Sequence, residues 1–219
     1  MNTLTVAPWR CLEDLPRAFG GTVGRGLMRG RSDDFQVDEH LGFEPSGNGD
    51  HVFLQLRKRD TNTLWLAKQI ARFAGVLPRD VGYAGLKDRY AVTSQWFSVL
   101  LAGRPEPDWS ALESAQLQVL RVARHPRKLR VGALQGNRFL LLIRQLATDL
   151  EVLKQRLEQL RCLGMPNYFG EQRFGLGYSN LAQAQALFTG RLGRIDRKQR
   201  GLLISAARSQ LFNEVLAAR

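Results

Sequence analysis

Residues 1–30 show little periodicity; from there to residue 146 several stretches alternate apolar and polar positions at period two around one helical repeat, and after residue 148 the apolar positions recur at helical spacing. DDFQVDEHLGF, 33–43, alternates Phe35 and Val37 with polar neighbours, and HVFLQLRKR, 51–59, puts Val52, Leu54 and Leu56 on one face. Both predict half-buried strands. Between them SGNGD, 46–50, is rich in residues that accept positive φ, so the two strands are expected as a hairpin. TNTLWLAKQIARFAGVLP, 61–78, repeats Leu66, Ile70, Phe73 and Leu77 behind a Thr cap and predicts a helix closed by Gly75 and Pro78. TSQWFSVLLAG, 93–103, and RFLLLIRQL, 138–146, predict further strands, the second buried on both faces.

After residue 148 the period changes. TDLEVLKQRLEQLRCLG, 148–164, opens with a capping box of Thr148 and Glu151, repeats Leu150, Leu153, Leu157 and Leu160, and ends at Gly164. An aromatic, glycine-rich loop, MPNYFGEQRFGLGYSN, leads to a short helix, NLAQAQALF, and a long one, GLLISAARSQLFNEVLAAR. In the last helix Leu203, Ala207, Leu211 and Val215 form the expected apolar stripe. Strands mixed with one helix, without regular strand-helix-strand alternation, predict an α+β fold. A largely antiparallel sheet flanked by helices is expected.

Composition narrows the function more than the fold. The 219 residues are 44% hydrophobic and 24% charged, as in a folded globular protein. FLLLI, 139–143, is far shorter than the ~18 residues of a membrane helix. The N-terminal segment lacks a signal-peptide core, so a cytoplasmic protein without membrane association is expected. Lys and Arg number 32 against 20 Asp and Glu, leaving +12 and a pI near 10.6. Such a surplus is the electrostatic footprint of nucleic-acid binding.

Cys11 and Cys162 lie far apart, and His40, His51 and His125 are unclustered, so no metal site is expected. G-x-x-x-x-G-K-[ST], G-x-G-x-x-G after a strand, H-E-x-x-H and G-x-S-x-G are all missing, which argues against an ATPase or a dehydrogenase.

Candidate binding residues gather in a few stretches. RVARHPRKLR holds Arg121, Arg124, Arg127, Lys128 and Arg130 around Pro126, and predicts a loop or extended arm along a phosphate backbone. RLGRIDRKQR, with Arg194, Arg197 and Lys198, repeats the signal. In GNRF, 136–139, the Asn137 amide can read a base edge and the Phe139 ring can stack on an unpaired base, though a turn Asn and a core Phe fit the same letters. Arg173 lies in the aromatic loop, which either faces RNA or plugs the core.

GYAGLKDRYAVTSQW, 82–96, sets Asp88 between Lys87 and Arg89. Nearby cations favour the charged form of a carboxylate and also attract phosphate. An ionised carboxylate can act as nucleophile or base, whereas a solvated turn aspartate does neither. Spacing leaves both readings open.

AGLKDRYAVTSQW closely resembles the G-x-K-D-[KR]-x-A-x-T-x-Q signature of the TruD family of tRNA pseudouridine synthases. DDFQVDEHLGFEPSGNGDHVFLQLRKRDTNT, ARHPRKLRVGALQGNRF, PNYFGEQRFGLGYSN and SAARSQLFNEV resemble further family motifs in the family's order, from about Gly26 to the end. The resemblance implies a pseudouridine synthase-type catalytic domain over 1–160 and, over 161–219, the start of the helical insertion (TRUD) domain. It implies isomerisation of uridine, typically at position 13 of tRNA, with Asp88 as catalytic residue acting on a flipped-out base.

By the same resemblance Phe35, Asn137 and Phe139 belong to the substrate pocket, flanked by Lys87 and Arg89. No cofactor, metal or obligatory protein partner is implied, and tRNA is the expected partner. Family members continue beyond this point and return to complete the catalytic sheet. A competing expectation is therefore a non-catalytic RNA-binding or tRNA-chaperone module.

Overall fold

The computed structural model describes residues 9–219. It divides into two compact units, Gly24–Ala147 and a second that joins the described residues up to Val23 with Thr148–Arg219.

In the first unit a six-stranded sheet is built from β2 (Phe35–Leu41), β3 (His51–Arg59), β4 (Val81–Tyr83), β5 (Val92–Leu100), β6 (Leu117–His125) and β7 (Leu134–Leu141), in the order β6-β3-β5-β2-β7. β4 also pairs with β5. β1 (Gly24–Met28) and β8 (Ile143–Thr148) form a separate two-stranded sheet. The fold is mixed α+β, as expected.

The predicted hairpin is not formed. β5 inserts between β2 and β3, running antiparallel to β3 over its whole length and parallel to β2 from Val92 to Ser94. The SGNGD segment is thus part of a crossing loop, and its turn chemistry serves a close approach. At Gly49, φ is +105° and a Cβ would lie 2.5 Å from the Pro126 backbone. Three strands went unread: β1, which lies in a glycine-rich segment without alternation, β4 because it is short, and β6 because its basic residues read as a loop or extended arm.

Alternation decides the two faces. Val52, Leu54 and Leu56 of β3 and Phe97 and Val99 of β5 pack under α1 (Thr63–Phe73) with Leu66 and Ile70. Asn62 caps α1, its side chain accepting from the Leu64 and Trp65 N–H groups. On the other face Phe53 and Trp96 pack with Ala84 and Leu129. β7 lies at the end of the sheet, so the RFLLLI run is not buried on both faces: Phe139, Leu140, Leu141 and Leu142 are all exposed among the described residues.

The second unit is helical: α2 (Leu150–Leu163), α3 (Ser179–Phe188) and α4 (Arg197–Ala217). Asp149, not Thr148, caps α2, because its carboxylate accepts from the Glu151 and Val152 N–H groups. α4 starts at Arg197, since Asp196 caps it by accepting from the Gln199 N–H at 2.8 Å. Its buried stripe is Leu203, Ala206, Ser209, Gln210 and Asn213, leaving the expected Leu211 and Val215 exposed. Polar side chains are tolerated there because they are bonded. Asn213 clamps the Phe169 backbone, accepting from its N–H and donating to its carbonyl.

Candidate active site

Asp88 lies on the segment joining β4 to β5, and that segment is fastened at several points. The Gln95 side chain donates to the Gly85 carbonyl at 2.6 Å and accepts from the Thr63 hydroxyl at 3.0 Å. The same hydroxyl oxygen accepts from the Lys87 N–H at 3.1 Å. Gly132 N–H donates to the Ala84 carbonyl at 2.7 Å. Gly82 is required just upstream, for a Cβ there would lie 2.3 Å from the Leu129 carbonyl oxygen.

Beneath Asp88 lies Lys58, 1% exposed. Its ammonium donates to the Thr61 carbonyl at 2.7 Å and the Asp88 carbonyl at 3.2 Å. Burial first, and then the nearby Lys87 charge, lower its pKa from 10.5 to about 8.

Lys87 turns inward. Its Nζ sits 2.5 Å from Glu39 Oε2, with the two side chains 6% and 0% exposed. Oε2 has no well-angled hydrogen bond, so the ammonium charge is its compensation, while Oε1 accepts from the Trp96 N–H at 3.1 Å. The expected substrate-facing role of Lys87 does not fit this position, because its charge is already buried against an acid. Arg89 is exposed, with its guanidinium 5.6 Å from the Tyr90 ring centroid.

The Asp88 carboxylate is partly open to solvent. Its Oδ2 lies 3.4 Å from an Arg29 guanidinium nitrogen. Arg29 in turn rests 3.8 Å over the Phe35 ring, and Phe35 stacks with Phe139 at a centroid separation of 6.1 Å. Carboxylate, guanidinium and two rings therefore form one continuous contact chain.

Register explains the rings: Phe139 pairs with Val37 and Asn137 with Glu39, so Asn137 and Phe139 share a face of β7 with Phe35 of β2. Phe35 is buried, Phe139 is 57% exposed, and Asn137 is exposed. Arg29 was not among the sequence candidates. Its φ of +59°, uncommon for a residue with a Cβ, follows the end of β1 and has no sequence signature beyond its glycine neighbour.

The basic run divides. Arg121 pairs with Glu44 at 2.8 Å and Arg124 with Glu106, so these two are already partly neutralised. Lys128 donates to the Arg79 carbonyl at 2.5 Å, and Arg127 and Arg130 are exposed. In the second unit Arg194, Arg197 and Lys198 are exposed. Arg173 lies 5.2 Å from the Phe169 ring centroid, while Phe174 of the same loop is buried and stacked on Tyr178. The aromatic loop is thus partly core.

The family model described as tRNA pseudouridine synthase D (TruD) matches residues 19–181. The chain belongs to the TruD family. It is 57% identical over 207 residues to the tRNA pseudouridine synthase D of Methylococcus capsulatus, covering 94% of this chain and 58% of that protein. It is 51% identical over 210 residues to the one of Cellvibrio japonicus, covering 94% and 62%. A solved structure from Methanosarcina mazei that carries the TruD name aligns with a TM-score of 0.63 at 24% identity, over 93% of this chain and 47% of that one. That likeness supports the TruD fold. The chain spans about three fifths of the length of these curated relatives. Among the described residues no helix is long and apolar enough to cross a membrane.

Proposed function

We propose that the protein isomerises uridine to pseudouridine in tRNA, typically at position 13, with Asp88 as the catalytic carboxylate. Its curated relatives are named tRNA pseudouridine synthase D. The observation that carries the assignment to Asp88 is its partly open carboxylate, 3.4 Å from Arg29, whose guanidinium covers Phe35 beside the exposed Phe139 ring. In the reaction the N-glycosidic N1–C1′ bond breaks, the uracil turns, C5 joins C1′ of the same ribose and loses its proton, and N1 gains one. Product and substrate contain the same atoms, so no co-reactant is consumed.

The carboxylate can serve this chemistry only if the target base leaves its stack, at a cost of a few kcal/mol. Stacking on an aromatic ring returns roughly 1–3 kcal/mol per base, and Phe139 offers such a face. The Asn137 amide, on the same strand face, reads the base edge. Arg29 supplies the positive charge beside Asp88 that the sequence had placed on Lys87. The catalytic domain extends over 1–160, and 161–219 begins an insertion that meets the RNA backbone through Arg173, Arg194, Arg197 and Lys198. Arg89, Arg127 and Arg130 are further backbone contacts.

The test is Asp88→Asn in the complete protein. Pseudouridine formation in tRNA should disappear while tRNA binding persists. A mutant that forms pseudouridine at the parental rate refutes the role of Asp88, and a parent that binds tRNA without forming pseudouridine refutes the catalytic reading altogether.

A further inference from the structure

A second recess lies away from Asp88. It opens at the start of β3 and the end of β6, with a volume of about 560 Å³, and its lining includes Phe43, His51, Phe53, His125, Arg127 and Arg130. His51 and Phe53 project from the sheet face opposite Lys58, by the alternation along β3. Seven residues separate His51 from Lys58, or roughly 23 Å of strand at ~3.3 Å per residue. The recess is therefore distinct from the carboxylate site.

Its chemistry is divided between an aromatic wall and a charged rim. The His125 ring lies 5.1 Å from Phe43 and 4.9 Å from Phe53, centroid to centroid, so the three rings make one aromatic cluster in which Phe53 is buried and Phe43 is exposed. No Asp or Glu lines the recess. Among the described residues neither Arg127 nor Arg130 has a carboxylate within ion-pair distance, unlike Arg121 and Arg124. Two guanidiniums left free at the mouth of a cavity suit a phosphate, which they can grip by paired hydrogen bonds.

The floor holds an unmet polar atom. His51 is 8% exposed, lines the recess, and its Nδ1 has no hydrogen-bond partner. A buried polar atom without a partner costs free energy that a ligand bond would restore. Burial and the Lys128 charge push the His51 pKa down, and burial with the Arg127 charge does the same for His125. Near neutral pH both rings are thus uncharged, each with one donor and one acceptor nitrogen. His125 Nδ1 accepts, at 3.5 Å, from the Ser46 N–H. His51 Nδ1 is the buried ring nitrogen of the recess that has no partner.

We propose that this recess is a second nucleotide subsite, taking one unpaired nucleotide of the RNA substrate with its base on the Phe43–His125 wall and its phosphate on Arg127 and Arg130. The inference rests on the RNA-modifying reading above and adds a specific place where the RNA is held at a distance from the reacting uridine. A base edge bonded to a ring nitrogen of the recess histidines would give this subsite a preference among bases, which backbone contacts alone do not give.

The test uses the complete protein, with tRNA and free uridine 5′-monophosphate as probes. The double variant Arg127→Ala/Arg130→Ala should raise the Kd for tRNA about tenfold, and should flatten the slope of log K against log salt by about 0.7, the value for loss of one single-strand phosphate contact. Both arginines are exposed, so the variant keeps the parental melting temperature. Photocrosslinking with 4-thiouridine-substituted tRNA should label the peptide containing Phe43, and His51→Phe should abolish that label. Free uridine 5′-monophosphate should compete only weakly. If it saturates the site while tRNA leaves Phe43 unlabelled, the recess serves a free nucleotide and the RNA subsite is overturned. An unchanged Kd and salt slope in the double variant also overturn it. A parent that binds no tRNA refutes the proposed function as well, which separates the two failures.

Discussion

Lys58 holds Asp88 by its main chain, with the buried ammonium 3.2 Å from the Asp88 carbonyl oxygen and 2.7 Å from that of Thr61. One side chain from β3 thereby ties the candidate catalytic segment to the loop that opens α1. It is a positioning residue, since it reaches the reacting region only through the backbone.

Lys58→Met should lower the rate of pseudouridine formation by about 10- to 100-fold, the scale expected when a reacting group is misplaced by about an ångström. Stability supplies an independent readout. Because folding depresses the Lys58 pKa from 10.5 to about 8, the folded form sheds its proton first. Its penalty on folding is thus full below pH 8, and parental stability should rise between pH 8 and 10.5 relative to the methionine variant. Urea midpoints across that range check it. Parallel curves would refute the buried-charge account.

Arg29 joins the carboxylate to the ring below it, at 3.4 Å from Asp88 Oδ2 and 3.8 Å over Phe35. Arg29→Met should reduce single-turnover pseudouridine formation by about 100-fold, as for loss of one directed charge in an active site. Arg29→Lys should recover only part of this, because an ammonium lacks the planar face that lies on Phe35. Full recovery with lysine would show that charge alone matters and that the stacking does not.

How much of this was legible in the sequence varies with the residue. The alternation Val52, Leu54, Leu56 was read correctly, and one further step of two gives Lys58, a charge on the core face. That signal was available. The motif around Asp88 was also legible as a motif, but spacing could not tell that Lys87 points inward to Glu39, a residue 48 positions away. The hairpin failed for a similar reason: local turn chemistry at 46–50 is compatible with a crossing loop, and only pairing with distant β5 decides between them. In β6 the high charge hid a strand whose partner β3 supplies the hydrogen bonds. Arg29 left no local trace, because its importance comes from β2 and the Asp88 segment meeting it in space.

The inward position of Lys87 has its own consequence. Glu39→Gln would leave a buried ammonium beside a neutral amide, and removal of one partner of such a pair costs about 3–5 kcal/mol. Glu39→Leu combined with Lys87→Met should recover most of that loss, since neither charge then needs compensation. Denaturant midpoints of the three proteins check the order. A double variant less stable than Glu39→Gln would mean that the pair contributes net stability.

Asp34 sets the acid limit of the same neighbourhood. Its carboxylate is fully buried, accepts two bonds from the Arg144 guanidinium at 2.8 and 2.7 Å, and accepts a third from the Arg31 N–H at 2.9 Å. The bonds from Arg144, foremost, hold its pKa below the ordinary 3.8. A carboxylate whose folded-state pKa is depressed contributes stability that is complete above its unfolded value and lost as pH falls through its folded one. Asp34→Asn should therefore lower the urea midpoint at pH 7, and the gap between parent and variant should close as the pH is taken below 3.8. Since Asp34 immediately precedes Phe35 and anchors Arg144 of β8, the variant should also loosen the ring under Arg29 and slow pseudouridine formation at neutral pH. A gap that stays constant into acid would show that Asp34 acts by packing and not by charge.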